Sequence, residues 1–442
     1  MKTLTSKKLL PIPILILISG AMFSSHFGVG DLIFPPILGR DSGADWFTAS
    51  IGYALINSIG VWLAYLACAQ QNQSLSGIAT KILGKFFGKI YTAIPVLIMV
   101  FFILPRVASA THEMAVLPLF PSVPLGVSLG VFFLVSFYIA YTRATVMDKL
   151  GRFLAPALIL FVLILVVKGI ADPLATPGIS GCATPLKDGM LNAYNTMNAI
   201  GALLFGGWIL HELKMRHIAD IRDMGVNLNI IGIGTALLLS ITSTSLVYLG
   251  KSSGPAFMDA PIGVLSTDIA KGLLGQAGLI GFAVIMALSC LSTSAAISSM
   301  AGDMFSEMSG EKLKYRVIVT AATLAGFIVG LVGLSRIVKY TVPWLVLLYP
   351  SIIVLIITAL YRKFDEIRIP VISGVIAALV FGFGDMLGFY GMKDNPISVF
   401  AAALPLGNQG IGWMLPTFVL IALIWLLLSV FSQLNQKRGK EL

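Results

Sequence analysis

Inside the first apolar stretch of the chain stands Phe23-Ser24-Ser25-His26-Phe27-Gly28-Val29-Gly30-Asp31-Leu32-Ile33-Phe34-Pro35-Pro36. An uninterrupted membrane helix would be expected there, yet serines, a histidine, two glycines and a carboxylate occupy its middle. Hydrocarbon satisfies no freed backbone group, so an unwound segment at that depth must line a cavity or meet an ion or solute. A helix restarting just after Gly30 would aim its N-terminal amides, and the positive end of its dipole, into the break. That end suits an anion. Asp31 lies twenty-two residues beyond Leu9, and at ~1.5 Å per residue a continuous helix would carry it to the far interface. An unwound stretch would instead leave it buried, as a cation ligand or a proton carrier.

Other groups have weaker claims. Gly28-Val29-Gly30 is no dinucleotide fingerprint, because position 33 is Ile and no strand precedes it. His26 has no second histidine nearby, so it reads as a satisfied polar neighbour rather than a metal ligand. Ser289-Cys290-Leu291-Ser292-Thr293-Ser294 offers hydroxyls at helical spacing. They would bond their own i−4 carbonyls or, beside the first break, join its carbonyls around a sodium ion. Arg106, following Pro105, and Glu113 share a helical face, which suits either an outer-gate ion pair or a solvated, proline-kinked helix end.

The elements that must position these groups follow from composition. Of 442 residues 57% are hydrophobic and 11% charged, against about 25% charge in soluble domains. This is a polytopic membrane protein. A window of ~19 residues gives spans at 9–38, 46–69, 88–111, 122–142, 150–170, 191–213, 225–249, 276–302, 315–334, 337–361, 369–389 and 411–433, the first and sixth broken. The net charge of +10 is not a nucleic-acid footprint, because the basic residues cluster at span ends. One side collects Lys2, Lys7, Lys8; Lys81, Lys85, Lys89; Arg143, Lys149, Arg152; Lys214, Arg216, Arg222; Lys312, Lys314, Arg316; Arg362, Lys363, Arg368; and Lys437, Arg438, Lys440. The other keeps Arg40, Arg106, Lys168, Lys187, Lys251, Lys271, Arg336, Lys339 and Lys393. Both termini are therefore expected in the cytoplasm. The N-terminal apolar run, with no small-residue cleavage site, reads as retained. Cys68, Cys182 and Cys290 have no metal-ligand spacing and suggest no disulfide framework. No phosphate-binding loop or His-Glu-x-x-His motif occurs, so neither ATP-driven pumping by this chain nor zinc hydrolysis is expected.

The sixth span, Asn192-Ala193-Tyr194-Asn195-Thr196-Met197-Asn198-Ala199-Ile200-Gly201-Ala202-Leu203-Leu204-Phe205-Gly206-Gly207, is interrupted by Asn, Thr and Gly as the first is by Ser, His and Gly. Paired interrupted helices at corresponding places mark inverted-repeat carriers, with the site between the breaks. Residues 9–170 would form one repeat, 191–361 its inverted copy, and 369–433 two peripheral helices in a single transport domain.

Phe27-Gly28-Val29-Gly30-Asp31-Leu32-Ile33-Phe34-Pro35-Pro36 resembles the F-x-G-A-G-N-x-I-F-P-P signature of bacterial branched-chain amino-acid:cation symporters. Pro105-Arg106-Val107-Ala108, Thr196-Met197-Asn198, Phe205-Gly206, Cys290-Leu291-Ser292-Thr293, Val342-Pro343, Tyr349-Pro350, Leu404-Pro405-Leu406 and Gln409-Gly410 extend the likeness over nearly the whole chain. The resemblance implies the five-plus-five fold of leucine/sodium carriers in a bacterial inner membrane, importing Leu, Ile or Val without a cofactor. It places the substrate carboxylate on the amides of Gly28, Val29 and Gly30, and the amino group on carbonyls near Ala199 and Ile200. Phe27, Asn198, Ala202 and Phe205 would complete the substrate site. It places sodium among carbonyls of Ser24, Phe27 and Ser289 and hydroxyls of Ser292 and Thr293. Two departures stand out: the family usually has Asn where this chain has Asp31, and Asp where it has Asn198. A compensated exchange would keep one negative charge in the site. The fifth span has Lys149 and Lys168 at its ends and no central lysine to replace a cation, which favours sodium over a proton. The alternative is a proton-coupled carrier of another small zwitterion or a nucleobase.

Overall fold

The computed structural model describes residues 9–141, 146–175, 182–218, 220–392, 394–407 and 410–438. Lys2, Lys7, Lys8, Arg143, Lys393, Gln409 and Lys440 lie outside them, as do the side chains of Lys149, Arg152, Lys437 and Arg438. Among the described residues every regular element is helical.

The first span is two helices, α1 (Ile12–His26) and α2 (Val29–Ser42), meeting at Phe27 and Gly28. The second is α3 (Trp46–Ala54) and α4 (Gly60–Gln71), joined by a π-helical turn at Leu55–Ile59. The third runs through α5 (Leu75–Ile98), a π turn at Met99–Ile103, and α6 (Leu104–Thr111), ending in another π turn at His112–Val116. Then come α7 (Leu125–Tyr141) and α8 (Val146–Ala171). The sixth span is again divided, into α9 (Pro185–Tyr194) and α10 (Asn198–Met215). The chain continues through α11 (Ile221–Ser253), α12 (Leu265–Met308), α13 (Tyr315–Gly330) and α14 (Leu334–Ala359). It closes with α15 (Arg368–Phe389), a short α16 (Pro396–Ala403) and α17 (Met414–Arg438). Among the described residues helices fall in all twelve expected spans, and seven helical stretches are long and apolar enough to cross a membrane.

The repeat is visible in the backbone. At Gly84 (φ 83°) and again at Gly275 (φ 62°), the long helices α5 and α12 each turn away from a short leading arm. Both angles fall in the left-handed region that glycine enters without steric cost. One arm precedes the third span and the other the eighth, which is the same place in each set of five. Contacts follow suit: α1 and α2 pack along α11, while α9 and α10 pack along α3 and α4. The first span thus pairs with the seventh as the sixth pairs with the second. Five spans are an odd number, so the second set runs through the membrane in the opposite sense.

Leu134 and Tyr138 of α7, Leu163 of α8 and Leu426 of α17 are exposed. In water such a surface would drive aggregation; in a bilayer it faces lipid. Inside, helices approach closely. A Cβ on Gly39 of α2 would run into the Val247 carbonyl of α11, and one on Gly250 of α11 into the Pro36 carbonyl of α2. Small residues at such crossings let backbones meet in the absence of a hydrophobic drive between membrane helices. Gly39→Ala is therefore expected to destabilise the bundle by about 1–3 kcal/mol through overpacking. Thermal unfolding of the purified variant in detergent checks this; a wild-type midpoint would contradict the close crossing.

Candidate functional site

The two breaks face each other. α2 starts at Val29 with Gly28 as its N-cap, two residues earlier than the sequence suggested. Asp31 and Leu32 are the first residues whose amides bond back to the Gly28 carbonyl, at 3.1 and 3.3 Å. The amides of Gly28, Val29 and Gly30 thus precede the helix's own ladder, as expected for an opening turn. Across the cavity, α9 ends at Tyr194 and α10 begins at Asn198. Met197 between them has φ 56°, a left-handed conformation costing a non-glycine residue about 1–2 kcal/mol. Such strain is retained where surrounding structure fixes it, and it clusters at functional sites.

Asp31 is buried to 1% exposure and holds the breaks together. Its Oδ2 accepts from Asn198 Nδ2 at 3.0 Å, and its Oδ1 from Asn57 Nδ2 at 2.9 Å. Asn57 also donates to Ser243 Oγ at 3.1 Å. The Asn57 carbonyl oxygen accepts from Asn198 Nδ2 at 2.7 Å and from Thr196 Oγ1 at 3.0 Å. An ionised carboxylate only accepts hydrogen bonds, so both amide groups turn their NH2 toward it. One polar cluster therefore ties together the first, second, sixth and seventh spans. The sequence reading singled out Asp31 and Asn198 and placed Thr196 in the sixth-span break, but missed Asn57 and Ser243.

Beside this cluster is a cavity of about 40 Å³. Gly28, Val29, Gly30, Asp31, Asn198 and Phe205 line it, all predicted from the sequence. Met99, Ile103, Val107, Met197 and Ile297 supply an apolar wall that was not predicted. His26 lines it too, with Nε2 2.8 Å from the Tyr65 hydroxyl and its ring edge-on to Phe205 at 5.5 Å. Its reading as a satisfied polar neighbour matches these contacts.

The expected amino-group ligands sit differently. Ala199, Ile200 and Ala202 are buried within α10 and are not among the cavity-lining residues, and Ala199 lies against Gly60 of the second span. The unwound carbonyls of the sixth span belong to Asn195 and Thr196, because the chain re-enters a helix sooner than the sequence suggested. Phe27 also turns its ring away from the cavity, against Phe23 at 5.2 Å, and offers its carbonyl to Ser289 Oγ at 2.7 Å.

That last bond fixes the neighbourhood of the expected cation. α12 brings Ser289 and Thr293 against the first break, with Ser292 buried one turn along the same helix from Ser289. Thr293 Oγ1 and Ser24 Oγ are buried with no hydrogen-bond partner. A Cβ on Gly28 would stand 3.1 Å from Thr293 Oγ1, so the hydroxyl points at the break itself.

Arg106 and Glu113 do not form the expected gate pair. Glu113 Oε1 accepts from the Leu334 amide at 3.2 Å, at the start of α14. Arg106 faces the cavity instead, and its Nη2 donates to the Asn195 carbonyl at 2.8 Å. The π turn at His112–Val116 adds residues to a helical turn, which displaces Glu113 from the face that seven-residue spacing would give it.

Residues 14–431 match the family described as branched-chain amino acid transport protein. The chain belongs to this family. It is 32% identical to the branched-chain amino acid permease BraB of Bacillus subtilis, over 97% of this chain and 99% of that one. It is 31% identical to the branched-chain amino acid transport system 2 carrier protein of Pseudomonas aeruginosa, over 91% and 93%. Among solved structures it is similar to the inward-facing conformation of Mhp1, with a TM-score of 0.60 at 12% identity, covering 89% of this chain and 96% of that one. A closed, bromovinylhydantoin-bound form of Mhp1, a nucleobase-cation-symport-1 transporter, gives 0.54 at 12% identity, covering 92% of each. At such identity the likeness speaks for the all-helical fold alone. The family is one of transport proteins rather than enzymes.

Proposed function

We propose that this protein imports leucine, isoleucine or valine across a bacterial inner membrane by symport with a cation, sodium being the preferred ion. The observation that carries the reading is the meeting of the two helix breaks over one cavity lined by both polar and apolar groups. The free amides of α2 suit an α-carboxylate, Asp31 and the Thr196 carbonyl suit an ammonium group, and Met99, Ile103, Val107, Ile297 and Phe205 suit a branched aliphatic side chain. Relatives that match over nearly their whole length are named as branched-chain amino acid permeases and carriers. At ~10–15 Å³ per water the cavity holds only a few waters, so leucine would enter a wider state and be enclosed as the bundle rocks. Occupancy then biases outward against inward forms by its differential affinity for them. The basic clusters at span ends support a topology with both termini in the cytoplasm.

Sodium would sit at the first break, between carbonyls of Ser24, Phe27 and Ser289 and the hydroxyls of Ser292 and Thr293. Unwound carbonyls beside helix ends are the usual cation ligands in such carriers, and the unpartnered Thr293 and Ser24 hydroxyls fit this role. Removal of one ligand of this kind by the near-isosteric Thr293→Val is expected to raise the sodium concentration for half-maximal uptake roughly 5- to 10-fold. Leucine affinity at saturating sodium should stay within about 2-fold. An unchanged sodium dependence would remove Thr293 from the ion site.

The deciding experiment is uptake of labelled leucine into liposomes holding the purified protein, under an inward sodium or an inward proton gradient. Accumulation with sodium, competed by isoleucine and valine but not by lysine, is the expected result. Accumulation with protons alone would make Asp31 the proton carrier, and none with either gradient would point to another solute.

A further inference from the structure

Arg106 is a buried cation with most of its donors unspoken for. It stands on α6 at 1% exposure and lines the same cavity as Asp31 and the opening turn of α2. Nη2 donates to the Asn195 carbonyl at 2.8 Å, while Nε and Nη1 are buried without a hydrogen-bond partner. The guanidinium carbon lies 5.5 Å from the centre of the Phe34 ring, so one face of the group is covered. Among the described residues no carboxylate comes within the 4.0 Å of an ion pair with it. Asp31 is committed elsewhere, to Asn57 and Asn198.

Position narrows what the free donors can meet. A Cβ on Gly30 would lie 3.4 Å from Nη2, so the guanidinium rests directly against the first turn of α2. Unladdered amides, the positive end of the α2 dipole and a permanent cation therefore converge on one end of the cavity. Each favours an anion independently. Two bonds of the guanidinium fork remain for a planar acceptor, because Asn195 takes only one of its edges. Arginine keeps its charge under all ordinary conditions, and its fork matches a carboxylate in shape. A lysine or a neutral donor would lack that match.

We propose that Arg106 binds the α-carboxylate of the transported amino acid, completing the anion site begun by the amides of Val29 and Gly30. The assignment rests on the amino-acid transport reading above and gives that site its carboxylate selectivity. Arg106 and Asp31 balance each other before binding, and a zwitterion leaves that balance intact. An amine without a carboxylate would leave the Arg106 donors empty, and a simple fatty acid would add an uncompensated negative charge.

The test compares leucine with leucinamide, which replaces the carboxylate by a neutral amide of the same shape. Binding to purified full-length protein would be measured for wild type and Arg106→Gln. Wild type should prefer leucine by roughly 30-fold or more, the scale of a desolvated charge pair. In Arg106→Gln leucine should weaken by that factor while leucinamide stays within about 3-fold, so the preference collapses. A preference equal to that of wild type in the variant, or an equal loss for both ligands, would overturn the assignment. Should Arg106→Gln fail to give monodisperse protein, a structure of the wild type with leucine bound decides. A carboxylate oxygen within hydrogen-bond distance of the guanidinium supports the assignment, and a carboxylate held by amides alone, with Arg106 still only on Asn195, refutes it. Wild-type protein that binds no leucine refutes the transport reading and this assignment together, whereas leucine binding with an unaltered preference in the variant refutes only the role of Arg106.

Discussion

Asp31→Asn is expected to abolish cation-driven leucine uptake, a loss of at least ~100-fold, because it removes the charge and also reverses the hydrogen-bond polarity of the cluster. Asp31 accepts from NH2 groups of both Asn57 and Asn198. An asparagine there must point its own NH2 at one of them, leaving buried donors face to face at about 1–3 kcal/mol each. The double variant Asp31→Asn with Asn198→Asp should recover part of the activity. The two side chains touch, at 3.0 Å between Asn198 Nδ2 and Asp31 Oδ2, so the exchange moves the carboxylate across one hydrogen bond and keeps the net charge of the site. Recovery should be partial, because the Asn57 carbonyl oxygen now accepts from Asn198 and would have to turn away from a new carboxylate. Initial uptake rates in liposomes, at matched protein incorporation, read the result. A double variant as inactive as the single one would end the compensated-exchange idea.

Much of this site was readable beforehand, and the physical reason is the same in each case. Ser, Gly, His and Asp inside an apolar span conflict with hydrocarbon, so Ser24 through Asp31 declared a break before any coordinates. Asn195, Thr196 and Asn198 did the same in the sixth span. Where the helices resume was less legible, since α2 restarts at Val29 and α10 at Asn198 according to how individual amides and carbonyls are satisfied. Ala199, Ile200 and Ala202 were drawn into the site by that uncertainty; they are ordinary helix residues packed away from the cavity. The arms starting at Leu75 and Leu265 escaped notice because neither fills a membrane-length window. Arg106 was noticed, but neither the gate pair nor the solvated helix end weighed for it describes its place. Spacing along an ideal helix ignores the π turn that carries Glu113 aside and says nothing of the cavity Arg106 faces. Asn57 gave the faintest signal: one amide in a second span without a charged residue, with its partners 26 to 186 residues away in sequence.

Asn57→Ala is for that reason the more informative variant. The side chain stands in the π turn Leu55–Ile59, and such turns rotate a residue out of the helix's regular face, often at functional sites. Its removal deprives Asp31 and Ser243 of a donor and Thr196 and Asn198 of an acceptor, all in the protein interior. At about 1–3 kcal/mol for each buried group left unsatisfied, the cost would reach several kcal/mol, only part of it recoverable by water entering the space. Uptake should fall by at least ~100-fold, and thermal stability in detergent should fall visibly as well, further than in Asp31→Asn, because more buried groups lose a partner. Ser243→Ala alone should be mild, because the hydroxyl only accepts one bond from this network. Combined with Asn57→Ala it should add almost nothing, since the partner it served is already gone. Full additivity of the two losses would mean that Asn57 acts outside the cluster. A stable, inactive Asn57→Ala protein would instead separate binding from folding, and place the worth of this amide in how it holds the Asp31 carboxylate for the ligand.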